Sequence, residues 1–540
     1  MAAIQATIEE TVKSLKVIES AIQAIIEETV KSLKVIESVK VDASKDPRQH
    51  MAVEDCKELL QYANDDLQDS FSMVSHSDLY TINDCVFEIL NWFTVVVSYQ
   101  QTCLDQLEMP EYKTPIENGL ANATQLASNA INIIASIILQ AFNIQLEDII
   151  KANSSSNSGS SSSSGTRRLL EVTKVGHDRY PTWFHDRDRK LVNLHNGGRG
   201  KETTPNAIVA KDGSGQYKTI SSAVAAIPKK HQGRWIIYVK AGVYKEVVII
   251  PKYQMDIFMY GDGPKRTIVT ASKNYANNIT TKGTPTFIGA KAPSPSLSPS
   301  SNSEFASGNR FVVEGMGFHN TAGPKGHQAV AYLSSSDMSA HFNCRFEGYQ
   351  DTLYYNRYRQ FYRNCVNTGT VDFIFGEGTV LIQASVIVLR MPDPNQQNIV
   401  KADGNFERNA IAGLVLQKCK IVPERQLFPN RFKVRSFLGR PWKRYSTTAI
   451  MESEIGDLIQ PEGWMIWEGK NNHKTAIVAE YGNWGTGANT NIRVKWNKFC
   501  VITNRNKALR CTASIHLEAG KDPLTWVRST VVLVDLGLTK

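Results

Sequence analysis

Three polar side chains recur at equal intervals in segments otherwise built of β-forming residues. Gln328 lies in His-Gln-Ala-Val-Ala-Tyr, Gln350 in Tyr-Gln-Asp-Thr-Leu-Tyr and Asp372 in Val-Asp-Phe-Ile-Phe-Gly, at spacings of 22 and 22. If one turn of a repetitive β-structure takes that many residues, the three stack on one face of neighbouring strands, two amides beside a carboxylate. Asp351 adjoins Gln350 and supplies a second carboxylate. Strict strand alternation sends neighbours to opposite faces, so Asp351 joins the group only if the chain bends there. A carboxylate pair with neutral amides suits hydrolysis: one carboxylate attacks or activates water and the other protonates the leaving group. Amide N–H groups can stabilise charge developing on a carbonyl oxygen, worth about 2.7–4 kcal/mol per donor where measured. Like charges held close raise one pKa and a cation lowers its partner's. Arg440, in Leu-Gly-Arg-Pro-Trp-Lys, is a candidate for that cation. Spacing alone leaves a second reading open, in which buried Asp and Gln form structural ladders.

Positioning such a group requires a repeating scaffold, and the sequence after about Pro205 has one. Short Val/Ile/Tyr-rich runs alternate with Gly, Asn and Asp. Cys344, Cys365, Ser385 and Cys419 each occupy the same point of an apolar run, at intervals of 21, 20 and 34. Repeats of this size made of short strands point to a parallel β-helix, with a β-sandwich as the alternative. Residues 289–304, rich in Pro and Ser, read as an exposed loop inserted between coils.

The preceding third of the chain differs. Residues 1–150 carry 9 Lys/Arg and 23 Asp/Glu, net −14, whereas residues 151–540 are net +23. An acidic module is therefore joined to a basic one suited to a polyanion, nucleic acid or acidic polysaccharide. Residues 3–20 and 21–38 match at 17 of 18 positions, with apolar residues at helical spacing. Helical patterning continues to about residue 150 and predicts a small all-α bundle. Residues 153–165 contain nine serines and form a linker, followed by the basic pairs Arg167-Arg168 and Arg189-Lys190. We expect a helical domain over 1–152, a linker over 153–204 and a β domain over 205–540. No apolar run is long enough to span a membrane, and Met1–Glu10 lacks the basic start and apolar core of a secretion signal.

Five ordered segments, Gly242-Val-Tyr-Lys-Glu246, Gln328-Ala-Val-Ala331, Gly348-Tyr-Gln-Asp-Thr-Leu-Tyr354, Asp372-Phe-Ile-Phe-Gly376 and Leu438-Gly-Arg-Pro-Trp-Lys443, closely resemble the signatures of plant pectin methylesterases. Cys56-Lys-Glu-Leu-Leu60, Asp65–Ser70 and Ser98–Cys103 resemble the later part of that family's inhibitor-like helical pro-region, and Arg167–Leu170 its processing site. The resemblance implies a right-handed parallel β-helix, no metal or other cofactor, and a secreted aspartyl esterase that removes methyl groups from homogalacturonan in cell wall modification. It assigns Asp372 as nucleophile, Asp351 as acid and then base, Gln328 and Gln350 as oxyanion-stabilising amides, and Arg440 as the guanidinium holding the nucleophile. Thr286, Gln328, Arg440, Trp442 and Trp464 would contact substrate. It further implies a monomer that meets methyl-esterified pectin, a subtilase-like processing protease at Arg167-Arg168 and an inhibitor protein, and neither nucleic acid nor membrane. The acidic domain would dock on the basic one and inhibit it until cleavage. Asn122, Asn153 and Asn278 head glycosylation sequons.

Departures accompany the resemblance. Ser385 stands where a cysteine usually pairs with the one at Cys365, Tyr332 replaces a leucine, and the duplicated 18-mer replaces the first helical hairpin of the pro-region. Two rivals remain. A pectate lyase would need clustered acids for Ca²⁺ and a basic catalytic residue. A pure inhibitor or binding protein would need the helical domain alone.

Overall fold

The computed structural model describes residues 2–75, 82–154, 204–228, 231, 233–251, 254–289, 310–517, 534, 535 and 537–539. The basic pair Arg167-Arg168, most of the serine-rich linker and most of the Pro/Ser insertion lie outside them.

Four helices come first: α1 (Ala2–Ser38), α2 (Pro47–Ser75), α3 (Ile82–Gln106) and α4 (Pro110–Ser154). The duplicated 18-mer forms one uninterrupted helix, because 18 residues make five turns and the copy keeps its apolar stripe in phase. Ile18, Ile22, Ile25 and Ile36 of that stripe are buried. A disulfide joins Cys56 of α2 to Cys103 of α3. Gly119 lets α4 approach α1 closely: a Cβ there would sit 2.9 Å from Val35 Cγ1. Ser32 Oγ donates to the Gly119 carbonyl at 2.7 Å. Among the described residues no helix is long and apolar enough to cross a membrane.

From Ala207 the chain winds into a parallel β-helix whose walls are sheets of eleven, eight and seven strands. The seven-stranded wall carries the site. Its strands are β1 (Val248–Ile250), β2 (Phe287–Gly289), β3 (Tyr332–Ser334), β4 (Leu353–Tyr355), β5 (Ile374–Gly376), β6 (Lys401–Asp403) and β7 (Arg440–Pro441), stacked in chain order and all parallel. Alternation gives each strand one residue for the interior and one for the outer face. In β3, Tyr332 enters the core while Leu333 faces outward over Tyr354 and Phe375.

The small-residue repeat marks the same corner of four successive coils. Cys344, Cys365, Ser385 and Cys419 are buried, and the residue before each has a left-handed backbone: Asn343 φ 50°, Asn364 φ 52°, Ala384 φ 48° and Lys418 φ 55°. That reversal of backbone hand turns the chain from one wall into the next, and a small side chain fits inside the bend. Ser385 Oγ accepts from Cys365 N at 3.0 Å, and Cys365 is a free, buried thiol. Tyr332 fits because the interior offers it a partner: His341 Nε2 lies 2.9 Å from its hydroxyl, and its ring stacks on Phe287 at 5.3 Å. Burial holds the His341 imidazole neutral, down to about 3.

Candidate active site

Asp351 and Asp372 each stand two residues before a cleft strand, β4 and β5. Leu353 pairs with Ile374 and Tyr354 with Phe375, so the two aspartates occupy equivalent points of adjacent coils. Asp351 N donates to the Val371 carbonyl at 3.1 Å. Both have positive φ, 63° for Asp351 and 49° for Asp372. This is the bend that alternation requires, and it brings Asp351 onto the same face as Gln350. Asp is among the few residues that accept this conformation.

Arg440, at the start of β7 and paired with Ala402, reaches back over two strands to Asp372. Its Nε lies 3.0 and 3.2 Å from the two carboxylate oxygens and its Nη2 2.5 Å from Oδ2. The guanidinium is also stacked 4.2 Å from the Trp467 ring. Such a fork fixes both the position and the charge of the carboxylate. Gln328, Gln350, Asp351, Asp372, Arg440, Trp442 and Trp467 line one cavity of about 340 Å³. Neither glutamine side chain is engaged by another protein group among the described residues, so both amides remain available to a ligand.

The two carboxylates differ electrostatically. Burial, reinforced by the Asp372 charge and only partly opposed by Arg440, lifts Asp351 well above the usual carboxylate range. Burial raises Asp372 too, but Arg440 and Lys401 pull it back. The arrangement thus disfavours the charge on Asp351 more strongly than on Asp372, whose ionised form Arg440 and Lys401 support. Beneath them, Lys401 is enclosed within the coil and donates to Thr448 Oγ1. Burial lowers Lys401 to about 8 against the opposing charges of Asp403 and Asp372.

The cleft floor is apolar and aromatic. Tyr354 and Phe375 stack at 4.2 Å, and Trp442 meets Phe375 edge-on at 6.1 Å. Gly404 seats Trp442, since a Cβ at this position would fall 2.7 Å from its ring. A flat floor beside a carboxylate pair and an anchored cation suits a sugar ring carrying an ester.

Residues 206–520 match the family described as Pectinesterase, and residues 3–133 match Plant invertase/pectin methylesterase inhibitor. The chain is 40% identical over 521 residues to "Pectinesterase 4" of Arabidopsis thaliana, covering 93% of this chain and 84% of that one. It is also 40% identical over 499 residues to a "Probable pectinesterase/pectinesterase inhibitor" of Brassica napus, covering 89% and 80%. The solved "Pectin methylesterase from Carrot" superposes with a TM-score of 0.58 at 40% identity, covering 63% of this chain and all of that one. The chain belongs to the pectinesterase family.

It is therefore a carboxylic ester hydrolase with an inhibitor-type helical domain ahead of its parallel β-helix. In this pectinesterase the two parts meet across the cleft. Arg48, Thr102, Asp105, Gln106 and Glu108 of the helical domain complete the wall of the cavity that holds the carboxylates. Charge complementarity aligns them. Asp105 pairs with Lys443, Lys282 lies 3.1 Å from Asp55 and 2.5 Å from Glu58, and Arg359 is gripped by Glu88 at 2.7 and 2.9 Å. Buried hydroxyls add Ser98 to Glu377 and Tyr358 to Asp66.

Two expected substrate contacts fall elsewhere. Thr286 is fully buried and donates to the His319 carbonyl at 3.1 Å, so its hydroxyl serves the coil. Trp464 is 2% exposed and donates Nε1 to Glu480 at 3.1 Å inside the core. Trp467, three residues on, is the tryptophan that reaches the cleft. Thr280 and Thr281 line the cavity in the neighbourhood where Thr286 was expected to do so. Sequence reasoning missed Trp467 and Lys401. Only the local Trp-Met-Ile-Trp and Asn-Ile-Val-Lys-Ala-Asp strings hinted at them, and which member of a run turns inward depends on the coil beside it.

Proposed function

We propose that the chain hydrolyses the methyl esters of polygalacturonate and releases methanol. The observation that carries this reading is the in-register pair Asp351 and Asp372, turned into one cavity, with Arg440 forked onto Asp372. Asp372 attacks the ester carbonyl carbon, and the carbonyl electron pair moves onto oxygen, where the Gln328 and Gln350 amides receive it. Collapse expels methoxide, which takes its proton from Asp351 and departs as methanol. The resulting acyl-enzyme anhydride is attacked by water, whose proton returns to Asp351. The product carboxylate leaves and Asp372 is regenerated. Trp442 and Trp467 hold the polymer against the floor, as does Arg440 at the reacting unit.

The helical domain acts as an inhibitor in cis. An acidic surface on a basic cleft, completed by Asp105 and Glu108 at its mouth, excludes the polymer until the linker is cut at Arg167-Arg168 by a subtilase-like protease. Secretion to the cell wall and glycosylation belong to the same reading, as does action as a monomer without cofactor. Methanol release from methyl-esterified polygalacturonate, measured on the intact chain and after proteolysis in the linker, tests it. Release only after cleavage supports the whole reading. Equal rates would remove the inhibition, and no methanol in either state would remove the activity.

A further inference from the structure

The segment from Glu424 to Arg435 joins the strand Lys420–Pro423 to the strand Ser436–Phe437 and presents an unusual surface. Leu427 is fully buried and anchors it, while Phe428 is 54% and Phe432 66% exposed. The two rings are not loosely held. The Arg431 guanidinium carbon sits 4.1 Å from the centroid of each. That guanidinium is clamped by the Asp457 carboxylate at 2.9 and 3.0 Å, and it donates to the Phe428 carbonyl at 2.9 Å. A short turn, with Lys433 N donating to Asn430 O at 2.8 Å, fixes the backbone between them.

The same segment carries Arg425, Lys433 and Arg435, all exposed. None of the three forms an ion pair among the described residues, and Arg435 stacks 5.0 Å from the Phe437 ring. Arg431 spends its charge on Asp457, so the segment offers two fixed apolar faces and three cations outside any ion pair among the described residues. None of these residues lines the covered cavity, and none takes part in the contacts with the helical domain described above.

We propose that this loop is an accessory binding site for de-esterified polygalacturonate, the product of the reaction. The ligand class rests on the function proposed above. Ring faces suit the apolar face of a pyranose, and the cations suit carboxylates that appear only after the methyl group has gone. Exposed aromatic surface of this kind marks interaction sites, and the patch has the charge its polyanionic partner requires. The site is close to the chemistry along the chain. Arg435 precedes Arg440 by five residues, at most about 17 Å of extended backbone. One polymer chain can therefore touch both, and the stretch already de-esterified holds the enzyme beside the stretch still to be processed.

The test uses the full chain, with its cleft still covered, at low and moderate salt. The probes are de-esterified polygalacturonate and its fully methyl-esterified form. The full chain should bind the de-esterified polymer at least tenfold more tightly than the esterified one. F428A/F432A should weaken that binding at least fivefold, and R425Q/K433Q/R435Q at least tenfold. All these side chains are exposed, so unchanged thermal melting should accompany both variants. Parent-like affinity in F428A/F432A would reduce the patch to a charge that any polyanion could meet, and overturn the proposal. Equal affinity for the two polymers would do the same, as would a dimer that F428A/F432A dissolves, since a second copy would then be the occupant. Methanol release after linker cleavage is scored separately, so a failed binding site and a failed esterase reading are told apart.

Discussion

Asp351 and Asp372 lie one above the other on adjacent coils, each in a left-handed backbone turn, with φ of 63° and 49°. Their equivalence follows from the register of β4 and β5. The difference between them follows from Arg440, which forks onto Asp372 alone. A symmetric scaffold thus yields two chemically distinct carboxyls.

Removing the fork should move the pH profile. Without Arg440 the burial of Asp372 is opposed by Lys401 alone, so its pKa rises and the proposed nucleophile is protonated at higher pH. In Arg440→Gln, after linker cleavage, the acidic limb of kcat/KM should shift upward by about 1–3 pH units. An unshifted limb with a lowered plateau would assign Arg440 to substrate binding alone.

Asp351 is the group with the strongest reason to be protonated. Asp351→Asn should lower methanol release by about 10²–10⁴-fold, and the loss should shrink on an ester whose alcohol leaves without help. An equal loss on both esters would show that the residue does not protonate the leaving group.

The docked helical domain should respond to pH through Glu377. Ser98 donates to its carboxylate, and burial pushes it up to about 7 against the pull of Arg357 and Lys443. Burial raises Glu88, in the same interface, in the same direction. A carboxyl whose pKa is raised by docking takes up a proton on docking, so the docked state gains as pH falls below about 7. Between pH 5 and 7 the cleaved helical fragment should release more readily as pH rises, approaching tenfold per unit. Glu377→Gln should weaken that dependence and leave the part due to Glu88, which fragment dissociation measured across the range would reveal.

Gly376 ends β5 with φ 151°, and a Cβ there would lie 2.1 Å from the Tyr355 carbonyl oxygen. Gly376→Ala should cost about 1–3 kcal/mol or more of stability and displace the strand that carries Asp372. Thermal melting and methanol release should fall together. A variant that melts normally would contradict the tight packing of neighbouring coils.

Much of this was legible in the chain. Short β runs with a small residue at intervals of 21, 20 and 34 read as a coil, because four successive corners pair a left-handed residue with a small side chain inside the bend. The chemical group was legible by type, though its spacing misled slightly. Gln328, Gln350 and Asp372 recur every 22 residues, whereas paired strands are offset by 21, so the polar positions drift by one residue per coil. It is Asp351 and Asp372 that match in register. The bend at Asp351 had no mark beyond the tolerance of Asp for that conformation. Trp464 and Trp467 could not be sorted, since their facing is decided by Glu480 and Arg440, distant in sequence. The cover over the cleft was visible as opposite net charges and in the resemblance of Cys56–Leu60 and Ser98–Cys103 to an inhibitor-like pro-region. The pairing of Asp105 with Lys443 needs the fold.

Methanol release by linker-cleaved chain carrying Asp372→Asn, set against the unsubstituted chain, is the most direct trial of the nucleophile. The unsubstituted chain should release methanol steadily from methyl-esterified polygalacturonate, and the variant should fall at least ~10³-fold with its melting unchanged. A variant that releases methanol at the parent rate would contradict the assignment of Asp372 and the reaction built on it.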